Sequence, residues 1–315
     1  MRTARALVVA AVVVVMGVMT TLSAPSGAMM DDLGEWSPAA RVEAAPGTDP
    51  AFNTPQLDGC PFISPDSKTF YMASTRPGGL GGIDIWVSTR EGVDEPWGAP
   101  VNLGATINSP SNDFCPTIAR DGKTFYFVSN RPGFCGGDDV FASRLRPDGW
   151  DEPVNLGCAT TGGPNSSANE AGPFPLNEPH AGPVLYFSST RSGSGDIYRS
   201  ESHGGAFGPA ALIEELSSSL DVDGQPNLRR DGLEIFFFSN RSGGLGSNDL
   251  YAATRSSTAD PWSAPVNLGA AVNSAASETR PSLSWDGTTL YFGSNRAGGD
   301  GDADHYVTTR RAHPG

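Results

Sequence analysis

The sequence predicts an all-β fold, a five-bladed propeller of four-stranded antiparallel blades, and three observations lead to this prediction. The motif Ser/Thr-x-Arg recurs five times, with its arginines 55, 60, 50 and 55 residues apart. A fixed period of this length is typical of one supersecondary unit that is copied and packed against its neighbours. Turn residues are abundant, with 39 Gly and 26 Pro in 315 residues, and long apolar stripes of helical period are missing. The five arginines are Arg76, Arg131, Arg191, Arg241 and Arg296.

Residues 1–28 are typical of a secretory signal peptide. Arg2 and Arg5 precede an apolar run over 6–18, and Ser26-Gly27-Ala28 is a small-residue cleavage site, with cleavage after Ala24 as an alternative. An uncleaved anchor is the other interpretation, although the run is short for a span of about 20 residues. We therefore expect a periplasmic or extracellular protein whose residues 29–315 form a single propeller domain.

One copy of the repeat shows the strands of a blade. In the second copy, Pro116–Ala119 is a short strand, and Asp121-Gly122 is a hairpin turn. The apolar run Thr124–Ser129 is the second strand, Asp139–Ser143 the third and Trp150–Leu156 the fourth. Four antiparallel strands per copy form the blade of a propeller.

The fifth copy lacks a fourth strand, and the N-terminus contains the missing piece. The segment 35–40, which contains Trp36-Ser37-Pro38, resembles Trp262–Pro265 of the fourth copy. It can complete the last blade and protect an open sheet edge. The predicted blades lie near residues 55–105, 110–158, 168–215, 221–270, and 276–310 together with 35–40. A six-bladed ring, the alternative, requires a further copy.

The repeated motifs resemble the TolB-type, WD-like β-propeller repeat. They include Ser64-Pro-Asp66, Arg120-Asp-Gly-Lys123, Asp249-Leu-Tyr251 and Pro265-Val-Asn-Leu-Gly269, and the resemblance covers nearly all of residues 36–310. It implies the propeller fold and an occurrence among periplasmic and outer-envelope proteins. It does not assign a function, because one fold serves many functions.

Two acids accompany each motif arginine. The first acid lies three residues before a proline and, in four copies, 18 residues before the arginine; the second opens the third strand. The first acids are Asp58, Asp113, Glu170, Asp223 and Glu278. The second acids are Asp84, Asp139, Asp196, Asp249 and Asp304.

Two interpretations of these acids remain open. In one, each arginine forks between its two carboxylates and locks the loops of its blade, so that the second acids are structural. In the other, the five first acids and the five arginines form a binding surface at the mouth of the central channel. Such a ring of carboxylates attracts a cation or an amine.

The composition favours a binding module over an enzyme. A net charge of −14 disfavours nucleic acid as a partner, and we expect a monomer without stable membrane insertion. The four His show no metal-ligand spacing, and no Gly-x-Ser-x-Gly elbow is present. We predict binding of an envelope protein or a glycan on the acidic loop face. The alternative is a glycoside-active hydrolase that uses a pair of the five first acids.

Further side chains suggest a metal site and two disulfides. Asp300, Asp302 and Asp304 alternate in a pattern suited to Ca²⁺, but the repeat also explains Asp304, and no other cofactor is expected. Four Cys in an exported protein indicate two disulfides, for which three pairings exist. We favour Cys135–Cys158, on two loops of one face, and Cys60–Cys115, at equivalent positions on adjacent inner strands.

Overall fold

The computed structural model describes residues 35–311, which form five antiparallel sheets arranged as the blades of a propeller. The predicted five-bladed fold is confirmed, and the six-bladed alternative is wrong. The predicted signal peptide, residues 1–28, lies outside the described residues. Within 35–311, no helix is long and apolar enough to cross a membrane.

The strands of each blade are numbered along the chain. Blade 1 consists of β2 (Asp58–Ile63), β3 (Thr69–Ser74), β4 (Asp84–Thr89) and β5 (Val101–Asn102). Blade 2 consists of β6 (Asp113–Ile118), β7 (Thr124–Ser129), β8 (Asp139–Arg146), β9 (Gly149–Trp150) and β10 (Val154–Asn155). Blade 3 consists of β11 (Glu170–Glu178), β12 (Gly182–Ser189), β13 (Asp196–His203), β14 (Ala206–Phe207) and β15 (Ala211–Leu212).

Blades 4 and 5 follow the same plan. Blade 4 consists of β16 (Asp223–Leu228), β17 (Glu234–Ser239), β18 (Asp249–Thr254) and β19 (Val266–Asn267). Blade 5 consists of β20 (Glu278–Leu283), β21 (Thr289–Ser294), β22 (Asp304–Thr309) and the N-terminal β1 (Ala40–Arg41). Two short 3₁₀ turns, Val42–Ala44 and Ala159–Thr161, lie in connections.

Three of the four predicted strands in blade 2 have different bounds in the structure. The third strand extends to Arg146 instead of ending at Ser143. The inner strand begins at Asp113 rather than Pro116, because Asp113 pairs with Ser129 and a bulge follows between Phe114 and Thr117. The predicted fourth strand is divided into β9 and β10. Pro153 lies between them, and proline has no N–H to donate to a ladder.

The apolar core lies between neighbouring blades, as the second strands of the repeat predict. Phe70, Phe125, Phe187, Phe236 and Phe292 are fully buried, each on the second strand of its blade. Aromatic side chains bury the most apolar surface per residue and dominate such interfaces. Each blade therefore depends on its neighbours for burial, as in other repeat folds.

A side-chain amide in the entry loop of the next copy fastens the third strand of four blades. Asn108 donates to the carbonyl of Ile85 at 2.9 Å and accepts from its N–H at 2.8 Å. Asn165 and Asn273 bind Val140 and Leu250 in the same way. The amide oxygens supply the acceptors for the N–H groups of Ile85, Val140 and Leu250 at the edge of the seam.

The ring is closed by the N-terminal segment, as the sequence predicts. Ala40 pairs with Val307 in β22, and the N–H of Ser37 donates to the carbonyl of Thr309 at 2.8 Å. The guanidinium of Arg310 lies 4.6 Å from the ring centroid of Trp36. Both chain ends therefore contribute to blade 5.

Candidate functional site

Each blade contains one buried ion pair between its first acid and its motif arginine, and we call this pair the latch. In blade 1, Arg76 Nη2 donates to Asp58 Oδ1 at 2.6 Å and to the carbonyl of Phe52 at 3.0 Å. Arg76 Nε donates to Ser74 Oγ at 3.0 Å. The N–H and hydroxyl of Thr54 donate to the other carboxylate oxygen at 2.6 and 2.7 Å. Both oxygens of Asp58 are thus occupied.

All five latches have the same geometry. The nitrogen–oxygen distances are 2.6, 2.7, 2.9, 2.5 and 3.0 Å from blade 1 to blade 5. Every carboxylate side chain is 0% exposed, and the arginine side chains are 7–19% exposed. The predicted acid–arginine contacts are therefore present, but the five carboxylates are buried and paired instead of facing solvent.

The second acids do not join the latches, so the predicted fork between two carboxylates is wrong. Each guanidinium stacks on an aromatic ring of the third strand instead, with 5.3 Å between Arg76 and the centroid of Trp86. In four blades the second acid binds backbone N–H groups of the Gly-rich loop, as when Asp84 accepts from Leu80 at 2.6 Å. In blade 3, Asp196 accepts from the hydroxyls of Ser192 and Ser194 instead. Because the guanidinium stacks on the aromatic ring, it does not contact the second acid. The second acid instead stabilises the Gly-rich loop by accepting its hydrogen bonds.

Burial also affects the acidity of several of these carboxyls. It raises the pKa of Asp84, Asp139 and Asp304, and hydrogen bonds from the backbone oppose this effect. Burial likewise raises the pKa of Asp223, although Ser239 and Arg241 bind its carboxylate.

Five equivalent positions line the central channel, and the sequence analysis singled out only the two cysteines among them. They lie at the bulge of each inner strand, two residues after the first acid, and all have positive φ: Cys60, Cys115, Gly172, Gln225 and Arg280. They are the residues immediately before the repeated prolines. In the sequence these positions can be found because they vary between the copies of the repeat while the residues on either side of them recur.

Arg280 is the one cationic side chain among the residues that line this channel. Its guanidinium forms no ion pair with any residue of the described range 35–311, and Nη1 lies where a Cβ on Gly59 would be. Burial lowers the pKa of Arg280. The cavity beside it has a volume of about 30 Å³, room for one or two water molecules. A sugar ring does not fit into a cavity of this volume.

His305 breaks the pattern of the third strands. The corresponding residues are Ile85, Val140, Ile197 and Leu250, all fully buried. His305 is also fully buried, packs its ring 5.2 Å from that of Phe70, and has no hydrogen-bond partner for either ring nitrogen in the described part of the chain. Burial lowers its pKa to about 4.

Replacing His305 by Leu is expected to make the protein less sensitive to acid. The folded-state pKa of about 4 is below the unfolded value of 6.5, so the unfolded state takes up a proton first. Stability contributed by the neutral ring is complete above pH 6.5 and declines as the pH falls toward 4. Urea unfolding at pH 7.5 and pH 5 should show a smaller decrease for His305→Leu than for the wild type. His203→Leu, at a 77% exposed histidine, is the control; equal decreases in all three proteins would contradict this expectation.

Both predicted disulfides are present. Cys60 and Cys115 join blades 1 and 2 at the channel, with Cα atoms 4.8 Å apart. Cys135 and Cys158 join two loops, with Cα atoms 5.2 Å apart. Both separations lie within the usual range for a disulfide.

Two of the three proposed calcium ligands have other partners, and the third, Asp302, is exposed. The carboxylate of Asp300 pairs with Arg41, and Asp304 accepts from the N–H of Asp300 at 2.8 Å. Among residues 35–311, no group of three or more His, Cys, Asp or Glu side chains could hold a metal ion.

Two half-buried carboxylates on the latch face, where the inner strands begin, belong neither to the latches nor to the second acids, and they form no arginine pair within residues 35–311. Asp138, in the Gly-rich loop of blade 2, is half-buried, and no side chain or N–H of residues 35–311 binds its carboxylate. Burial raises the pKa of Asp138, and the charges of Asp139 and Glu170 raise it further. Asp221, in the entry loop of blade 4, is also half-buried and outside the ion pairs of the described range. Blade 3 lies between them, and its Arg191–Asp196 loop is three residues shorter than the loops of the other blades.

Comparison with known proteins gives structural matches only. No family model matches the sequence, and no curated protein matches it. The catalytic domain of the GH62 α-L-arabinofuranosidase of Coprinopsis cinerea superposes with a TM-score of 0.58 at 13% identity, covering 89% of this chain and 98% of that one. An α-L-arabinofuranosidase from Lactobacillus brevis gives 0.56 at 12% identity, over 88% and 98% of the two chains. TolB from Acinetobacter baumannii superposes with a TM-score of 0.48 at 16% identity, covering 82% of this chain and 55% of that one. At these identities the likeness shows the shared propeller fold.

The predicted binding module is wrong. The similar structures are mostly glycoside hydrolases, including further GH62 enzymes and a GH43_12 protein, and this finding contradicts the predicted binding module. The carboxylates that were expected to make the loop face acidic cannot form such a surface, because they are buried in the latches.

Proposed function

We propose that the protein is a glycoside-active hydrolase and that Asp138 is its general acid. The observation that carries this proposal is the half-buried Asp138 carboxyl, which has no arginine partner and a raised pKa. A general acid in glycoside hydrolysis has to hold a proton near neutral pH, and burial with neighbouring negative charges achieves this. The hydrolases of similar fold support the reaction class.

Asp221 is the candidate for the second carboxylate. Glycoside hydrolysis requires an ionised carboxylate that acts as nucleophile or as the base for water. Asp221 lies on the same face as Asp138, on the other side of blade 3, whose Arg191–Asp196 loop is short. The latch carboxylates are poor candidates because their oxygens already accept hydrogen bonds from arginine and from the entry loops.

Activity of two acid-to-amide variants tests the assignment. Reducing-sugar release is measured from arabinoxylan and β-1,3-galactan, and nitrophenol release from aryl α-L-arabinofuranoside. Asp138→Asn should lower kcat/KM by about 10²–10⁴-fold, Asp221→Asn should also abolish most turnover, and both should keep the wild-type Tm. Asp302→Asn, at an exposed acid of the same face, is the matched control. Absence of hydrolysis by the wild type, or full activity of Asp138→Asn, would count against the proposal.

We also propose that the protein is exported and matures by removal of residues 1–28. The two disulfides support this, because disulfides persist in oxidising compartments. The intact mass of the protein recovered from the periplasm or medium should correspond to a chain starting at residue 29, or at residue 25 after the alternative cleavage. A chain retained in the membrane fraction with its first residues intact would contradict export as a soluble protein.

We infer that the repeat is of the TolB type, which is a more specific statement than the propeller fold itself. The motifs around Asp121, Arg131 and Asp139 in blade 2 support this, since they recur in register in the other blades. Superposition of single blades tests the inference. The motif arginine should fall on an equivalent arginine of TolB blades, and a displaced arginine would exclude a common repeat.

A further inference from the structure

A cleft opens on the hairpin face, the end of the propeller opposite the latches. It lies beside the hairpins of blades 2 and 3, reaches Arg230 of blade 4 and Trp285 of blade 5, has a volume of about 190 Å³ and is lined by 12 residues. We call it the hairpin cleft and define it by six of them: Arg120, Tyr126, Leu176, Phe207, Arg230 and Trp285. The long hairpin of blade 3, with strands of nine and eight residues, forms one wall. The volume is sufficient for one sugar ring with its substituents.

Three aromatic side chains give the hairpin cleft apolar surfaces. The rings of Tyr126 and Phe207 meet edge to face, with centroids 6.1 Å apart. Trp285 is partly exposed, and the guanidinium of Arg120 lies 5.7 Å from its ring centroid. Small-molecule sites combine such apolar walls with a few polar groups that fix orientation.

The charge of the hairpin cleft is opposite to that of the protein. Arg120 and Arg230 are exposed, and neither forms an ion pair within residues 35–311. The acid beside them, Asp121, accepts three hydrogen bonds of its own turn, from Lys123 and Thr124 at 2.7–2.8 Å. Two guanidinium groups without a carboxylate partner, in a chain of net charge −14, create a local site for an anion.

The sequence places these side chains at one position of the repeat. Arg120, Arg230 and Trp285 each precede the aspartate of the hairpin turn, where the first copy has Pro65. The turn itself repeats: Asp286, like Asp121, accepts from the turn backbone, at 3.0 Å from the N–H of Thr288. The hairpin turn is therefore the same in these copies, while the residue before its aspartate differs and lines the cleft.

We propose that the hairpin cleft binds a sugar ring that carries a carboxylate, a uronate residue of a glycan. Trp285 and Tyr126 supply faces for the apolar side of the ring, and the two arginines supply donors for the carboxylate. The site is separate from the proposed catalytic pair on the opposite face, so it does not depend on hydrolysis. It would hold an acidic glycan against the protein.

Calorimetric titration of the mature protein tests this proposal. The probes are oligosaccharides of galacturonate and of glucuronate, the corresponding neutral oligosaccharides, and inorganic phosphate at matched ionic strength. We expect the uronates to bind and to change the Trp285 fluorescence, and the neutral sugars and phosphate to bind at least 10-fold more weakly. The double variant R120Q/R230Q should lose at least 10-fold in uronate affinity, and W285A should lose a similar factor.

Two controls make the outcomes decisive. R146Q removes an arginine that is also exposed but lies in an exposed pair with Asp151, and D138N removes the proposed catalytic acid; both should bind uronate like the wild type. Because D138N binding is measured apart from activity, failure of the hydrolase proposal leaves this one standing. Absence of uronate binding, equal binding of neutral sugars or phosphate, or wild-type affinity in R120Q/R230Q would overturn it.

Discussion

Replacing Arg76 by Gln is expected to lower the free energy of unfolding by about 3–5 kcal/mol, the usual cost of removing one member of a buried ion pair. The change leaves the carboxylate of Asp58, 0% exposed, with hydrogen bonds from Thr54 but no opposite charge. It also removes the bonds that Arg76 donates to the carbonyls of Ala51 and Phe52 at 2.9 and 3.0 Å. The entry loop of blade 1 should therefore loosen together with the latch.

Urea unfolding and thermal melting measure this effect. For a domain of this size the loss corresponds to a decrease in Tm of roughly 6–15 °C. The control is Arg146→Gln, whose pair with Asp151 is exposed on both sides and should contribute less than about 1 kcal/mol. A double variant with Asp58→Asn and Arg76→Met should recover part of the stability, because no charge then remains buried. Equal stability of Arg76→Gln and wild type would show that the latch does not hold the blade.

The latches show what spacing predicts and what it leaves open. The separation of 18 residues between Asp113 and Arg131 predicts contact across the first hairpin, and the two side chains are 2.7 Å apart. Spacing did not identify which of two acids the arginine prefers, because Asp139 lies within reach as well. The guanidinium stacks over Phe141, 5.0 Å from its centroid, and this packing selects the first acid. Packing of this kind appears only in three dimensions.

The functional candidates were harder to predict for a related reason. The residues that recur in every copy were predicted to be functional, but in this propeller they mainly stabilise the fold. Arg280 in the channel, Asp138 on the latch face and Trp285 on the hairpin face all occupy positions that vary between copies. A search of the aligned copies for variable residues beside constant ones would have found them. Their burial and lack of partners still required the structure.

An arginine stacks on a tryptophan beside three of the seams between blades, and the sequence could have revealed this pairing. Arg90, Arg255 and Arg310 end the third strands of blades 1, 4 and 5, and the first two stack on Trp97 and Trp262 at 4.2 Å. In both copies the tryptophan follows its arginine by seven residues. Arg310 has no tryptophan after it and stacks on Trp36 at 4.6 Å, so the N-terminal segment occupies the equivalent place in blade 5.

Removal of residues 35–41 is therefore expected to unfold or aggregate the protein. The deletion leaves β22 as an unpaired edge, which is a template for association. It also removes the ring of Trp36 from Phe236, 5.9 Å away, and exposes Arg310, whose two nitrogens bind Glu234 at 2.7 Å across the seam to blade 4. Circular dichroism should show a broad transition at lower temperature, and light scattering should show oligomers.

A circular permutant separates closure of the ring from loss of the seven residues. The linker Ser256–Pro261, which joins Arg255 to Trp262 in blade 4, is inserted between Arg310 and Trp36, and new ends are made between Val93 and Asp94 in an exposed loop of blade 1. Closure then moves to blade 1, between its third and fourth strands, and the permutant should be a monomer with a Tm close to that of the wild type. A deletion variant as stable as the wild type would mean that the N-terminal segment does not hold blade 5 together. A permutant that does not fold would mean that the position of the chain ends, and not only the contacts of the segment, is required for closure. Because the permutant retains every contact of Trp36, its stability would identify the contacts of that strand, and not the position of the chain ends, as the source of closure.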